Sequence, residues 1–232
     1  MSRNSITATM AGRHPSLAGI GQFRRADGMV GFEIGWPEVE RDTVWARRLL
    51  EVWEVGPGDH ALLTARNSEG PWFGPVVRAI RETGVVFSNA EPYAWDARRV
   101  TTLLSALPIK VVAGLSGEAA DALLADDEGA ARLAEVPVLW ARGDAVEQLR
   151  RAGLQPAEMA MLGPVPAFSC PEREGLHIDP AEWRFTATAS GLTLTVVGDR
   201  LFRGRDIDVD ISGAIVETPC TCGLPGPRIN TA

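Results

Sequence analysis

The sequence predicts an α/β fold, a mainly parallel sheet flanked by helices and followed by a small antiparallel β-unit. Three observations carry this. From about residue 60 to about residue 162, short apolar runs alternate with amphipathic stretches of a few helical turns, the rhythm of βαβ units. Beyond about Pro166 the period becomes two, with Ser190-Gly191 and Ser212-Gly213 marking turns between strands. The three cysteines stand only at the entrance and exit of that second stretch.

Residues 1–36 are rich in Gly, Arg and Ser without a period, and read as loop plus one strand near 29–34. Residues 37–166 form the α/β domain. Pro37 opens a helix over 37–54 whose apolar face is Val39, Val44, Trp45, Leu49, Leu50 and Val52. Gly56-Pro57-Gly58-Asp59 stops it and leads into a strand over 60–65. A helix over 73–83, a short buried strand over 85–88, a helix over 95–107 and a strand over 110–113 follow. Helices over 117–124 and 128–134, a strand over 136–141, a helix over 144–152 and a strand over 158–162 complete the domain. Residues 167–232 form the β-subdomain, with strands over 183–189, 192–197 and 207–211.

With 45% hydrophobic and 23% charged residues the chain supports a sizeable core. A net charge of −7 argues against nucleic acid or an anionic membrane as the main partner. No apolar run reaches transmembrane length, and Met1 to Ile6 lack the apolar stretch of a signal peptide, so a cytoplasmic location is expected. Three cysteines, an odd number, and no export signal disfavour a disulfide framework and favour a metal.

The ligands are Cys170 and His177, six residues apart in between, and Cys220-Thr221-Cys222-Gly223. Four such side chains make the tetrahedral set of a structural zinc, with Gly175 and Gly223 placed to bend the backbone round the ion. The competing reading is three buried thiols and a surface histidine, and the Cys-x-Cys gap is tighter than the usual two to four residues. With four protein ligands no position remains for a reactive water, so the expected role is a clip across the ends of the β-subdomain.

Several motifs in order carry a resemblance. Val55-Gly56-Pro57-Gly58-Asp59 precedes a strand, Gly70-Pro71-Trp72-Phe73-Gly74 opens a helix, and Gly84-Val85-Val86 follows it. The tail holds Phe168-Ser169-Cys170, Gly175-Leu176-His177-Ile178, Arg203-Gly204-Arg205-Asp206-Ile207, Cys220-Thr221-Cys222-Gly223 and Pro227-Arg228-Ile229. Over about residues 32–229 the chain thus resembles the acyl-adenylate-forming enzymes, most of all their phenylacetate–CoA ligase branch, some of whose members carry zinc on matching residues. The resemblance implies that Asp206 matches the residue gripping the nucleotide ribose, and that Gly143-Asp144 lies beside the adenine and acyl group. It places Trp72 and Phe73 near the acyl pocket. Taken alone, Trp72 and Phe73 read more readily as core or subunit contacts, and Asp206 as one acid among Asp199, Asp208 and Asp210.

The chain also departs from that pattern. The family's phosphate-wrapping loop is rich in hydroxyls and ends in lysine, whereas Phe23-Arg24-Arg25-Ala26-Asp27-Gly28-Met29-Val30-Gly31 has neither. Where the family has Tyr-Gly-x-x-Glu for magnesium, this chain has Met161-Leu162-Gly163-Pro164-Val165. The resemblance implies that residue 232 falls about where the family's large domain ends, before the mobile domain that supplies a catalytic lysine, and that domain is not expected in this sequence. The expectation is a catalytically degenerate binding or accessory subunit with structural zinc and an incomplete site for ATP or AMP. Its expected partners are a second copy, a full-length ligase, or an acyl- or CoA-type small molecule. Two alternatives stand beside it: a minimal ligase with a nucleotide site remodelled on Arg24, Arg25 and Asp206, and a purely structural scaffold. His14 and His60 have no partner motif and are assigned no role.

Overall fold

The computed structural model describes residues 17–66 and 69–231; residues 1–16, with His14 and the start of the N-terminal segment, lie outside them. The chain opens with an antiparallel hairpin of β1 (Leu17–Arg25) and β2 (Gly28–Gly35). Only Ala26 and Asp27 form its turn, which Gly28 permits with φ +138. The strand expected near 29–34 is found as part of β2, whereas 23–25, expected as loop, are paired strand. Phe32 lies flat over Gly21 of the opposing strand, where a Cβ would come within 2.2 Å of the ring.

Helix α1 (Trp36–Val52) begins with proline in its first turn, as expected. Its buried face is Glu38, Asp42, Trp45, Ala46, Leu49 and Leu50, while Val44 is 42% exposed and turns away from the core. Asp59 closes the turn after it, accepting from the amide of Gly56 at 2.9 Å and from Lys110 Nζ at 2.9 Å. Then follow β3 (His60–Leu63), α2 (Gly70–Glu82) and β4 (Val86–Asn89). After a single 3-10 turn come α3 (Ala97–Ala106) and β5 (Ile109–Leu115). Next are α4 (Gly117–Leu124), capped by the Ser116 hydroxyl, and α5 (Asp127–Ala134), capped by the Asp126 carboxylate. The parallel part closes with β6 (Val138–Arg142), α6 (Gly143–Arg151) and β7 (Ala157–Leu162).

The sheet does not stop there. β8 (Val165–Ser169), β9 (Leu176–His177), β13 (Gly213–Val216) and β14 (Arg228–Thr231) extend it antiparallel, giving nine strands in the order β13-β14-β9-β8-β7-β6-β5-β3-β4. The expected boundary at 166 thus falls inside β8. β10 (Trp183–Thr188), β11 (Gly191–Val196) and β12 (Ile207–Asp208) form a separate antiparallel sheet, the small β-unit of the sequence reading. Strand β4, expected to be buried, is the sheet's edge, and Val86 is 57% exposed. No helix of the described residues is long and apolar enough to cross a membrane.

Helices α1 and α2 cover one face of the sheet and pack with Ala61, Leu63, Val111, Trp140 and Phe168. Helices α3 to α6 cover the other with Leu62, Val112, Leu115 and Leu139. The small sheet is fastened to α1 by charge. Arg200, 4% exposed, bonds both oxygens of Asp42 at 2.8 Å and Glu182 at 2.8 Å, and stacks 4.3 Å from the Trp183 ring centre. Arg41 binds Glu182 at 2.6 Å from the other side. Removing one member of such a set leaves its partners' charges buried, at a cost of about 3–5 kcal/mol.

Candidate metal centre

Cys170 follows β8, His177 lies in β9, and Cys220 and Cys222 stand in the connection from β13 to β14. Because these strands are neighbours in one sheet, residues 50 apart in sequence meet at one place. The four ligand atoms all lie within 4.8 Å of one another. Cys170 Sγ is 3.6 Å from Cys220 Sγ, and Cys222 Sγ is 3.5 Å from His177 Nε2. Sulfur at about 2.3 Å and nitrogen at about 2.0–2.1 Å from a tetrahedral ion require edges of about 3.8 and 3.6 Å. The cysteines form no disulfide, and the donor set fits a four-coordinate metal ion.

The backbone prepares these sulfurs for negative charge. The amide of Leu224 donates to Cys222 Sγ at 3.5 Å, and the amides of Glu172 and Cys222 favour the thiolates of Cys170 and Cys220. Gly175 makes the bend before His177 at φ +97, where a Cβ would meet Asn230 Oδ1 at 2.5 Å. Gly223 takes φ +81 after Cys222.

Burial dominates the protonation of the cluster. It pushes the Cys170 thiol up to about 12 and raises Cys222. It opposes ionisation of Cys220 too, but the Cys222 amide, the neighbouring thiols and Arg228 outweigh it and bring that thiol down. His177, fully buried, is pushed down to about 4 by burial and then by Arg228, so its ring is the neutral form that ligates metals. A bound dication would ionise all three thiols. Three thiolates on one divalent ion leave one negative charge, and the buried Arg228, 3.8 Å from Cys220 Sγ, faces it.

The cluster is set in the core rather than on the surface. Trp53 and Trp140 both donate their indole N–H to the carbonyl of Ser169, at 3.1 and 3.2 Å, fixing the residue before Cys170. No local pattern signals this, since the two indoles lie 116 and 29 residues from Ser169 in the chain.

A second region gathers the two stretches that depart from the family's pattern and one motif that carries the resemblance. The β1–β2 hairpin, the β7–β8 turn at Gly163 and the segment before β12 converge: a Cβ on Gly163 would lie 3.5 Å from Phe23 and 2.9 Å from Val209. Aromatic rings fill their meeting point. Phe23 and Phe202 sit edge to face at 6.1 Å, as do Phe32 and Phe202 at 6.2 Å, and Phe32 and Trp72 lie tilted at 5.4 Å. Arg24 is exposed, and Arg25 pairs with Asp27 at 3.3 Å.

The remaining candidates are spread out. Trp72 borders this aromatic group. Phe73, 3% exposed, packs with α1. Asp206 is exposed at φ +51, its amide bonded to Thr195 Oγ1 at 3.2 Å. Gly143 and Asp144 are exposed in the first turn of α6, with Asp144 crowding Gly117. Between β3 and β6, Arg142 donates to the Gly114 carbonyl at 3.0 Å and to Glu69 at 2.7 Å, and so occupies the space outside those strands' carboxyl ends.

No family model matches the chain, and no curated protein matches its sequence. Among solved structures it is similar to 2-hydroxyisobutyryl-CoA ligase in the postadenylation state, with a TM-score of 0.69 and 11% identity over 93% of this chain and 51% of that one. The N-terminal subdomain of Klebsiella oxytoca NpsA follows the fold with a TM-score of 0.56 and 11% identity over 93% of this chain and 58% of the other. The anthranilate CoA ligase AuaEII gives 0.55 and 11% over 80% and 40%. The chain has the fold of the AMP-forming acyl-CoA ligases, and spans about half the length of the solved ligases it matches.

Proposed function

We propose that this chain is a catalytically degenerate relative of the phenylacetate–CoA ligase branch that acts as a binding or accessory subunit and carries a structural zinc at Cys170, His177, Cys220 and Cys222. One observation carries the loss of catalysis. Where the hairpin 23–31, the turn at Gly163 and the segment before Asp206 meet, the side chains are Phe23, Phe32 and Phe202. A two-residue turn at Ala26-Asp27 offers no row of amides and hydroxyls to wrap phosphates, and no carboxylate stands in the sequence 161–165 to hold magnesium.

On this reading the partner is a second copy or a full-length ligase, and the ligand an acyl- or CoA-type molecule. The reduced thiols of the zinc clip suit a cytoplasmic location. Pure protein, assayed for ATP–pyrophosphate exchange with a panel of aliphatic and aromatic carboxylic acids, is expected to give none. Exchange above the no-enzyme background with any acid would overturn the reading in favour of a remodelled ligase.

A further inference from the structure

Strand β4 ends the nine-stranded sheet, and its outer side is a free edge. The amides of Val86 and Ala90 donate to the carbonyls of Asp59 and Leu63, at 3.0 and 2.9 Å. In a parallel ladder alternate residues spend both backbone groups on the same neighbour, so Val86, Ser88 and Ala90 face β3. Phe87 and Asn89 turn their N–H and C=O groups the other way, where no strand of the described residues lies. Edges are ordinarily blunted by lysine, proline or a bulge. The run Val86-Phe87-Ser88-Asn89 has none of these, and its pairing with β3 is regular.

The surface around this edge suits a protein partner. Val86 and Trp95 are 57% and 71% exposed, more than any other large hydrophobic of the described residues. The first begins the strand, and the second lies a short way beyond its end. Trp95 stacks on Tyr93 at 5.9 Å, and Arg66 Cζ lies 5.6 Å from the Tyr93 ring centre. Tryptophan, tyrosine and arginine are the residues that carry most of the binding energy at interfaces. Charge of both signs is also free here. Arg81, in the last turn of α2 before the strand, and Glu91, just past it, make no ion pair among the described residues.

We propose that β4 is the joint between two copies of this chain, paired antiparallel about a two-fold axis at Ser88, so that their sheets run on as one. A two-fold interface has to be self-complementary, and this edge is. The axis sets Phe87 opposite Asn89 of the second copy, each with an outward N–H and C=O to exchange. Because the strands run opposite ways, the start of one lies beside the end of the other. Arg81 thereby comes to the end that carries the second copy's Glu91, and the same contact recurs on the other side of the axis. A strand from another protein would satisfy the backbone groups, but the opposite charges at the two ends favour a second copy. The proposal deepens the accessory reading, from which it takes a second copy as the partner, and adds where that copy sits.

The full chain would be followed by sedimentation equilibrium from about 1 to about 100 µM, where a dimer is expected. V86K and N89P alter exposed edge positions, and the proline removes an N–H that β3 does not use. Each should weaken the dimer about tenfold or more with the far-UV circular dichroism unchanged. R81E and E91R should each weaken it as well. An equimolar mixture of those two variants should regain it as a heterodimer, because the reversed charge of each then meets its opposite on the other. A chain that stays monomeric at about 100 µM overturns the proposal in favour of a strand from another protein. A dimer untouched by V86K, N89P and the charge reversals overturns it by placing the joint elsewhere. Pyrophosphate exchange, measured separately, decides the accessory reading and does not bear on this interface.

Discussion

The indole nitrogen of Trp140 donates to the carbonyl oxygen of Ser169 across 3.2 Å, and that carbonyl belongs to the residue before Cys170. Trp53 donates to the same oxygen at 3.1 Å, with the two rings edge to face. A carbonyl has two lone pairs, so one indole remains when the other is removed. W53F and W140F should each cost about 1 kcal/mol for the hydrogen bond, besides their lost packing. The double variant should cost about 1 kcal/mol more than their sum, because the buried oxygen then loses both side-chain donors. Urea unfolding of the four proteins checks this, and additivity within about 0.3 kcal/mol would deny the shared acceptor a role.

Elemental analysis of protein purified without chelator should find about one zinc per chain if the cluster is a closed four-ligand site. C170A or C220A should abolish it and lower Tm by roughly 10 °C, the scale of losing a structural metal from a domain of this size. A chelator that left Tm unmoved would show that the cluster holds no stabilising ion.

Two glycines frame the ligands, and they should differ. G175A forces a Cβ to within 2.5 Å of Asn230 Oδ1 and 3.2 Å of Arg228 Cβ, at φ +97. G223A meets nothing within 4 Å and bears only the strain of φ +81. The second should cost about 1–2 kcal/mol and keep its metal, and the first should cost more and lose metal to a weak chelator. Equal effects in a chelator competition would mean that the crowding at Gly175 is relieved without moving Arg228.

The charge cluster gives the acid limb of stability a direction. Burial opposes the Glu182 carboxylate, but hydrogen bonds from Arg41 and then Arg200 outweigh it and hold its pKa below the ordinary 4.5. A lowered carboxylate contributes stability above its unfolded pKa, and this is lost as pH falls through the folded value. Denaturant midpoints should therefore fall as pH drops below about 4.5. R200M should cost about 3–5 kcal/mol at pH 7 and show a shallower acid decline. An unchanged acid limb in R200M would assign the pH dependence to other carboxylates.

The parallel half of the fold was legible because each element there carries its own period and its own stop. The helix over 117–124 is found at those bounds, bracketed by the Ser116 cap and the turn at Ala125 and Asp126. Strands β8, β9, β13 and β14 were missed for a physical reason. β9 has two residues, β8 contains Pro166, and β13 and β14 are too short to show an alternation. They exist because neighbouring strands pair with them. The buried face of α1 was misread at Val44, since Glu38 and Asp42 are tolerated in the core only when Arg200, 158 residues from Asp42, arrives to neutralise them. That both acids fall on the stripe of Trp45 and Leu49 was the available signal.

The sequence by itself determined which four side chains have metal-ligand chemistry, because thiol and imidazole donors are rare enough here for their identity and spacing to speak. It also determined that lysine and hydroxyls are missing from residues 23–31. Only the tertiary structure decided that the four ligand atoms come within 4.8 Å of one another, that phenylalanines occupy the place where three segments converge, and that Tyr93 and Trp95 stack beside Arg66 beyond β4. Donor chemistry is a property of single residues, whereas distance between residues remote in the chain is set by strand pairing and packing, which no local pattern encodes.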